Sequence, residues 1–138
     1  MIVGIELGSI TDEIGAASFF NAFFSTISGN LEPDGWGSRF PIIMNKLYSG
    51  VVSQRDSVKA LSELEVIKSE LATLSAYKII WDIKDYKKMP PWESNISADI
   101  TDLSNYFVTS TGRDLISSLK EILEELRDRG GLAKVVTM

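Results

Sequence analysis

The feature that most constrains the fold of this chain is a run of apolar residues that recur every three or four positions between residues 58 and 74. This spacing places the apolar side chains on one face of an α-helix, which must then pack against other elements. The run comprises Val58, Leu61, Leu64, Ile67, Leu71 and Leu74. Ser53 and Asp56 precede it in the S-x-x-D arrangement of a helix cap. Its predicted outer face carries Lys59, Glu63, Lys68 and Glu70.

Similar patterns predict three more helices. Apolar residues at helical spacing extend over residues 14–31 and include four of the six phenylalanines, which favours a core helix over a ligand pocket. A second helix is predicted over residues 38–50, with a proline in its first turn, where a missing N–H group costs little. The last helix follows a T-x-x-D cap at residues 111–114 and ends before a Gly-Gly pair.

Four short segments predict strands, because they are rich in β-branched and aromatic residues and are bounded by turn residues. They are IVGIEL (2–7), KIIWDI (78–83), NYFVTS (105–110) and LAKVVT (132–137). The predicted order is therefore β-α-α-α-β-β-α-β. This order fits an α+β fold over residues 1–138, in which a mixed sheet of about four strands packs with about four helices in a single layered domain.

The chain contains no histidine and no cysteine, which excludes several chemistries. Ser-His-Asp triads, Cys-His dyads, typical zinc sites and disulfides all require these residues. The remaining possibilities are carboxylate chemistry, an activated lysine or tyrosine, or a magnesium or calcium site made of oxygen ligands. The sequence gives no positive sign of a cofactor.

The net charge of −5 limits the partners that the chain can bind. Nucleic acids and anionic membranes require clustered lysine and arginine, so neither is an expected partner. An acidic surface instead favours encounter with a basic protein. No apolar run approaches a membrane span, and the first residues, MIVGIELG, do not resemble a signal peptide. The expected location is the cytoplasm.

The segment VTSTGRDL (108–115) offers two interpretations. A turn that leads into a helix N-terminus can bind an anion, and Arg113 could assist. The pattern is not a Walker A motif, however, because the G-x-x-x-x-G-K arrangement is absent. The simpler interpretation is that Thr111 caps the helix, Gly112 eases the turn and Asp114 complements the helix dipole.

Five carboxylates fall within about twenty residues of one another on predicted loops and strand ends. They are Asp82, Asp85, Glu93, Asp99 and Asp102. Such a group could bind Mg²⁺ or supply an acid and a base, although no calcium-binding loop motif is present. The alternative is that Asp99 and Asp102 form Asx turns and that the others are solvated. Nearby lysines at 84, 87 and 88 weaken the case for a metal site.

Two tryptophans lie in predicted loops rich in glycine or proline, namely Trp36 and Trp92. A tryptophan in a loop either covers the core or anchors an interface, because this residue is enriched at binding hot spots. The sequence leaves both interpretations open.

Five short phrases follow one another along the chain: VGIELGSITDEIG, WGSRFPIIMNKLY, WDI at 81–83, PPW at 90–92 and NISADITDLSNYFVTSTGRDL at 95–114. Together and in this order they resemble the immunity protein 70 family. The resemblance extends over roughly residues 2 to 126 and rests on phrases and their order, not on a catalytic signature. Members of that family are small cytosolic bacterial proteins, encoded beside the toxins of polymorphic or contact-dependent inhibition systems. The resemblance implies that this chain is one of them.

The resemblance implies an α+β fold and a function, which is to bind and block the C-terminal domain of a cognate toxin. It implies no enzymatic activity, and it supplies no contact residues. From sequence proximity we predict that the toxin-binding surface includes Asp82, Asp85, Trp92, Asp99, Asp102 and Asn105. Trp36 is added as a loop tryptophan that could anchor an interface. Many secreted toxins are basic nucleases, whose capture an acidic inhibitor would accelerate.

A second function class stays open at this point. Asp82, Asp102 and Arg113 could serve a small carboxylate-dependent enzyme or an anion-binding domain. The two classes differ in what the structure must show. An enzyme needs these three side chains in one site, whereas an inhibitor needs an exposed surface of aromatic and charged groups.

Overall fold

The computed structural model describes residues 1–138 and shows an α+β fold. The four strands are β1 (Ile2–Leu7), β2 (Ile10–Ala16), β3 (Val51–Ser53) and β4 (Leu132–Thr137). The three α-helices are α1 (Ala17–Leu31), α2 (Gln54–Leu71) and α3 (Leu115–Arg129). A π-helix (Ile42–Leu47) and a short 3₁₀ turn (Ala76–Lys78) complete the elements. The predicted fold class and the approximate strand number are confirmed.

The four strands form one sheet in the order β2-β1-β4-β3. Every pairing is antiparallel. A mixed sheet was predicted, and this detail of the prediction is wrong. Leu7 pairs with Ile10 across a two-residue turn at Gly8, where a positive φ of 62° suits glycine. The sheet buries one face, which carries Val3 and Ile5, against the helices.

The β1–β2 hairpin corrects the first predicted helix. Ile14 was assigned to a helix over residues 14–31, but it is a fully buried residue of β2, and α1 begins only at Ala17. The helical spacing of the phenylalanines extends backwards to Ile14 by coincidence. Local periodicity cannot detect that the preceding residues pair with β1, because this pairing is a tertiary contact.

Two predicted strands are wrong. KIIWDI (78–83) forms no strand. Lys78 ends the 3₁₀ turn, and hydroxyl groups of α1 satisfy backbone groups of the residues that follow it. Thr26 Oγ1 accepts a hydrogen bond from the Ile80 N–H and donates one to the Ile80 carbonyl, each at 3.1 Å. NYFVTS (105–110) makes only an isolated bridge between Val108 and Asp114. The third true strand, β3, has three residues and was not predicted.

Helix α2 confirms the main amphipathic prediction but not all of its details. Leu64, Ile67 and Leu71 are buried as expected, whereas Val58 is 64% exposed. Glu63, which was placed on the outer face, is buried instead. Its neighbour in space is the π-helix, so the buried face of α2 is rotated toward that element and away from Val58.

The predicted helix caps are only partly correct. Ser53 stands at the N-cap position of α2, but its side chain makes no capping hydrogen bond. For α3 the capping residue is Asp114 and not Thr111, because Asp114 Oδ2 accepts a hydrogen bond from the Ser117 N–H at 3.0 Å. Even so, α2 and α3 each begin within a few residues of the predicted start.

Candidate functional site

The two most N-terminal carboxylates of the predicted surface form local turns. Asp82 Oδ1 accepts a hydrogen bond from the Lys84 N–H at 2.9 Å, and its other oxygen lies 3.5 Å from Lys88 Nζ. Asp85 Oδ1 accepts a hydrogen bond from the Lys87 N–H at 3.1 Å. These are Asx turns, in which the carboxylate replaces a backbone acceptor. Each acid therefore lies beside a lysine and shapes the loop that presents it.

Asn105 and Asp102 hold the next loop together. Asn105 Oδ1 accepts hydrogen bonds from the N–H groups of Thr101 at 3.0 Å and Asp102 at 3.3 Å. Its amide nitrogen donates to the Asp99 carbonyl at 3.1 Å. The hydroxyl group of Ser104 donates to Asp102 and lowers the pKa of that carboxyl. Asp99 is exposed, and its carboxylate makes no hydrogen bond within the chain, which leaves it free for a partner.

Trp92 both covers the core and faces solvent. Its indole N–H donates to the Tyr106 hydroxyl at 2.8 Å, and its ring packs edge-on against Trp81 with the ring centroids 5.5 Å apart. Burial raises the pKa of Tyr106. Even so, Trp92 stays 38% exposed. A partner could therefore contact a tryptophan whose orientation is already fixed, which reduces the entropy cost of binding.

Trp36 is more enclosed. Its indole N–H donates to the Met44 carbonyl at 3.0 Å, and its ring contacts Phe24 and Tyr48 at the edge of the core. It is half-buried, so it serves mainly as a lid. From the sequence, each of the two tryptophans could either cover the core or anchor an interface. In the structure, Trp92 is the better placed of the two for an intermolecular contact.

The structure places five of the seven predicted residues at two different clefts. Trp36 and Asp82 line a cleft of about 790 Å³, which lies between the end of α1, the π-helix and the loop near Tyr86. Trp92, Asp99 and Asn105 line a second cleft of about 670 Å³. Asp85 and Asp102 line neither cleft. The predicted residues thus do not form one concave site.

Most backbone donors of the possible anion cradle at residues 108–115 are already used within the chain. The N–H of Thr109 donates to the Arg113 carbonyl at 2.7 Å, and the N–H of Gly112 donates to the Thr109 carbonyl at 2.9 Å. The Arg113 N–H donates to Thr109 Oγ1 at 3.1 Å. An anion would have to displace these internal bonds, which argues against a preformed phosphate site.

The three residues of the enzyme alternative do not share a site. The Arg113 guanidinium pairs with Glu121 and lies 3.8 Å from Asp12, while Asp82 and Asp102 are occupied by their own turns. No hydrogen bond or ion pair joins any two of the three. Nowhere in residues 1–138 do three or more acidic side chains converge as metal ligands would. The structure therefore does not favour the enzyme alternative.

Comparison with known protein families favours one of the two classes. The family model described as Immunity protein 70 matches residues 5–135. This chain belongs to the immunity protein 70 family. No curated protein and no solved structure gives a significant match. Family membership makes the chain an immunity protein of a toxin system, whose partner is a toxin protein, and favours a binding role over an enzymatic one.

For an immunity protein, further large side chains that are exposed near the predicted acids gain importance. Tyr77, Tyr86 and Met89 are all exposed and lie in the same stretch of chain as the predicted acids. The sequence analysis did not single them out. A usable signal was present, because residues 85–91 (DYKKMPP) combine large side chains with prolines that forbid a buried helix or strand.

None of the helices combines the length and apolar character needed to cross a membrane.

Proposed function

We propose that this protein binds the C-terminal toxin domain of a cognate polymorphic toxin in the bacterial cytoplasm and neutralises it by protein–protein inhibition. The observation that carries the proposal is the family match over residues 5–135. The fold supports it, because the chain presents a rigid scaffold with irregular, exposed segments of the kind that commonly carry binding function. Inhibition of this type requires neither a nucleophile nor a metal from the inhibitor.

The contact surface that we propose lies along residues 77–105. Exposed aromatic and sulfur-containing side chains lie there together with the predicted acids and four lysines; they are Tyr77, Tyr86, Met89 and Trp92. Tyrosine, tryptophan and methionine are enriched at protein interfaces, and acids that stay exposed can pair with basic groups of a partner. Many of the loop hydrogen bonds in this stretch are internal, so the surface is preorganised.

The charge of the chain suggests a basic toxin, of which a secreted nuclease is one example. A net charge of −5 attracts a cationic domain over long range and accelerates encounter. Residues 1–31 contain three acids and no lysine or arginine, so the N-terminal part of the chain contributes more than half of this excess. The proposal predicts that the association rate falls as salt concentration rises.

The first experiment is a co-expression pull-down with the toxin domain encoded next to this gene, followed by titration at two salt concentrations. Tight binding supports the inhibitor function, and a salt-dependent association rate supports electrostatic capture. If a folded and active toxin domain does not bind, the proposal fails for that pair.

The second experiment maps the surface. Asp99→Lys and Tyr86→Ala change exposed side chains that hold no other part of the fold, so the variants should remain folded. Loss of at least about tenfold in toxin affinity, or roughly 1.4 kcal/mol, is expected for each. Glu65→Lys, an exposed reversal on α2, is the matched control and should retain affinity. Equal affinities for all three variants would place the toxin elsewhere on the molecule.

A further inference from the structure

The outer face of the β-sheet is not covered by any part of the chain. Residues that alternate with the buried Val3, Ile5 and Ala133 point away from the helices. On this face lie Ile2, Gly4, Glu6, Thr11, Glu13, Val51, Ser53, Leu132, Lys134, Val136 and Met138. Glu13 accepts a hydrogen bond from the Ser110 hydroxyl group within the chain, so Glu6 and Lys134 are the two charged residues at the centre of the face. Because all three α-helices pack on the opposite side, the fold has only two layers and leaves this face to solvent.

The composition of this face is unusual for a surface in contact with water. The solvent face of an antiparallel sheet is normally polar. Here Val51 is 46% exposed, Leu132 is 44% exposed and Met138 is 57% exposed. Met138 also lies across Gly4, since a Cβ atom added to Gly4 would be 2.7 Å from Met138 Sδ. The result is an apolar patch that extends over β1, β4 and β3. Such patches mark interaction surfaces.

The charged residues of the face make it complementary to itself. Glu6 on β1 is the direct cross-strand partner of Lys134 on β4, and Gly4 is the partner of Val136. Strands β1 and β4 are the two central strands. A twofold axis that runs between them, parallel to the sheet, would place β1 of one copy over β4 of the other. Glu6 of each copy would then face Lys134 of the other copy, and Val136 of each copy would face Gly4 of the other.

We propose that this face binds a second copy of the same chain, so that the protein forms a twofold symmetric dimer by packing sheet on sheet. An interface between identical surfaces must be self-complementary, and the Glu6–Lys134 arrangement gives this face self-complementary charge. A four-stranded face is small compared with a typical specific interface, so the dimer is expected to be weak and to depend on protein concentration.

The proposed dimer leaves the toxin-binding surface accessible. Residues 79–83 are held on α1 through Ser25 and Thr26, and α1 lies on the opposite side of the sheet from the exposed face. A dimer would therefore present two toxin-binding surfaces. The dimer proposal does not depend on the identity of the toxin, and each can fail without the other.

The test is a charge exchange, read by sedimentation velocity over a wide range of protein concentration. Glu6→Lys places two lysines opposite each other at both symmetric contacts of the dimer, and Lys134→Glu places two glutamates there. Each variant alone should be monomeric at concentrations at which the unmodified protein dimerises. An equimolar mixture of the two variants should dimerise again, because every contact then joins a lysine to a glutamate.

The mixture separates an intermolecular effect from damage to the monomer. Within each variant chain the cross-strand pair of residues 6 and 134 remains like-charged, so only contact between two chains can restore association. The double variant Glu6→Lys/Lys134→Glu restores both pairs and should behave as the unmodified protein. A monomer at all concentrations, or association that both single variants retain, would overturn the proposal. It would also be overturned if the unmodified protein stayed monomeric while Glu6→Lys weakened toxin binding, because the face would then belong to the toxin.

Discussion

Two segments of this protein lie outside the strands and α-helices but are attached to the core by different chemistry. Residues 32–50, here called the carboxylate-anchored segment, are held by Glu32 and Glu63, which are both buried. Residues 79–114, here called the hydroxyl-anchored segment, are held mainly by neutral groups, of which Thr26 and Ser25 are the deepest. Charge-assisted hydrogen bonds are roughly twice as strong as neutral ones. The first segment should therefore be the more rigid and the second the more adaptable.

The geometry of the carboxylate anchors explains their strength. Glu32 accepts hydrogen bonds from the N–H groups of Gly37 at 3.0 Å, Arg39 at 3.0 Å and Phe40 at 3.2 Å. Glu63 accepts from the N–H groups of Ile42 at 3.2 Å and Ile43 at 2.9 Å, at the start of the π-helix. Two side chains thus satisfy the donors of a turn and of a helix start that have no other acceptor.

The largest effect is expected at Glu32. Glu32→Ala leaves three buried or partly buried N–H groups without an acceptor and should reduce the free energy of unfolding by about 3–5 kcal/mol, as measured by urea denaturation. Glu32→Gln retains one oxygen and should cost less than half as much. Asp34→Ala, an exposed neighbour, is the control and should have little effect. Similar losses for Glu32→Ala and Asp34→Ala would contradict the role of Glu32 as an anchor.

Glu63 should rank second, because it serves two donors instead of three. We expect Glu63→Ala to reduce the free energy of unfolding by roughly 2–4 kcal/mol and to disorder the π-helix, which can be followed by hydrogen exchange at Ile42 and Ile43. Glu65→Ala changes an exposed residue of the same helix and should leave both amides protected. Protected amides in Glu63→Ala would mean that packing alone holds the π-helix.

A smaller effect is expected in the hydroxyl-anchored segment. Thr26→Val preserves shape but removes both hydrogen bonds to Ile80, and it should cost about 1–2 kcal/mol. Thr73→Val makes the same change at an exposed position and should be almost neutral. If Thr26→Val proved as costly as Glu32→Ala, the two segments would not differ in the way that their chemistry indicates.

The smallest effects concern pH, and they have opposite signs in the two segments. Burial raises the pKa of Glu63 despite its backbone hydrogen bonds. The part of its contribution to stability that depends on pH is therefore present below the ordinary carboxyl pKa and is lost as pH rises through the raised value. The hydrogen bond from Ser104 lowers the pKa of Asp102, so its contribution is present above the ordinary pKa and is lost as pH falls through the lowered value.

These signs can be separated with neutral variants. On acidification, the stability of the unmodified protein should rise relative to Glu63→Gln and fall relative to Asp102→Asn, as measured by urea denaturation at a series of pH values. Parallel pH profiles for the unmodified protein and Glu63→Gln would show that Glu63 titrates as in the unfolded chain.

The parts of the fold that could be predicted from the sequence are those with long, uninterrupted periodicity. Helices α2 and α3 and the terminal strands β1 and β4 have this property. Strand β3 has only three residues, which is too short for a pattern to register. The segment KIIWDI resembles a strand because it is apolar, and only the contact with Thr26, more than fifty residues earlier, explains why it is not one.

The candidate site was less predictable than the fold. Both loop tryptophans, Trp36 and Trp92, were predicted to belong to one toxin-binding surface, whereas chain folding places them at two different clefts. Glu63 looked like an ordinary surface residue, because its role depends on donors from a segment about twenty residues away in sequence. The roles of buried polar groups are set by tertiary contacts, which local patterns do not encode.

The distribution of the three tryptophans has a practical consequence. Trp36 belongs to the carboxylate-anchored segment, Trp81 and Trp92 belong to the hydroxyl-anchored segment, and the sheet contains none. The molecule thus carries a separate optical reporter in each segment. A toxin that covers Trp92 should shift its fluorescence emission to shorter wavelength as water leaves the indole. Association through the sheet would leave all three tryptophans unchanged, so intrinsic fluorescence alone distinguishes the two kinds of binding.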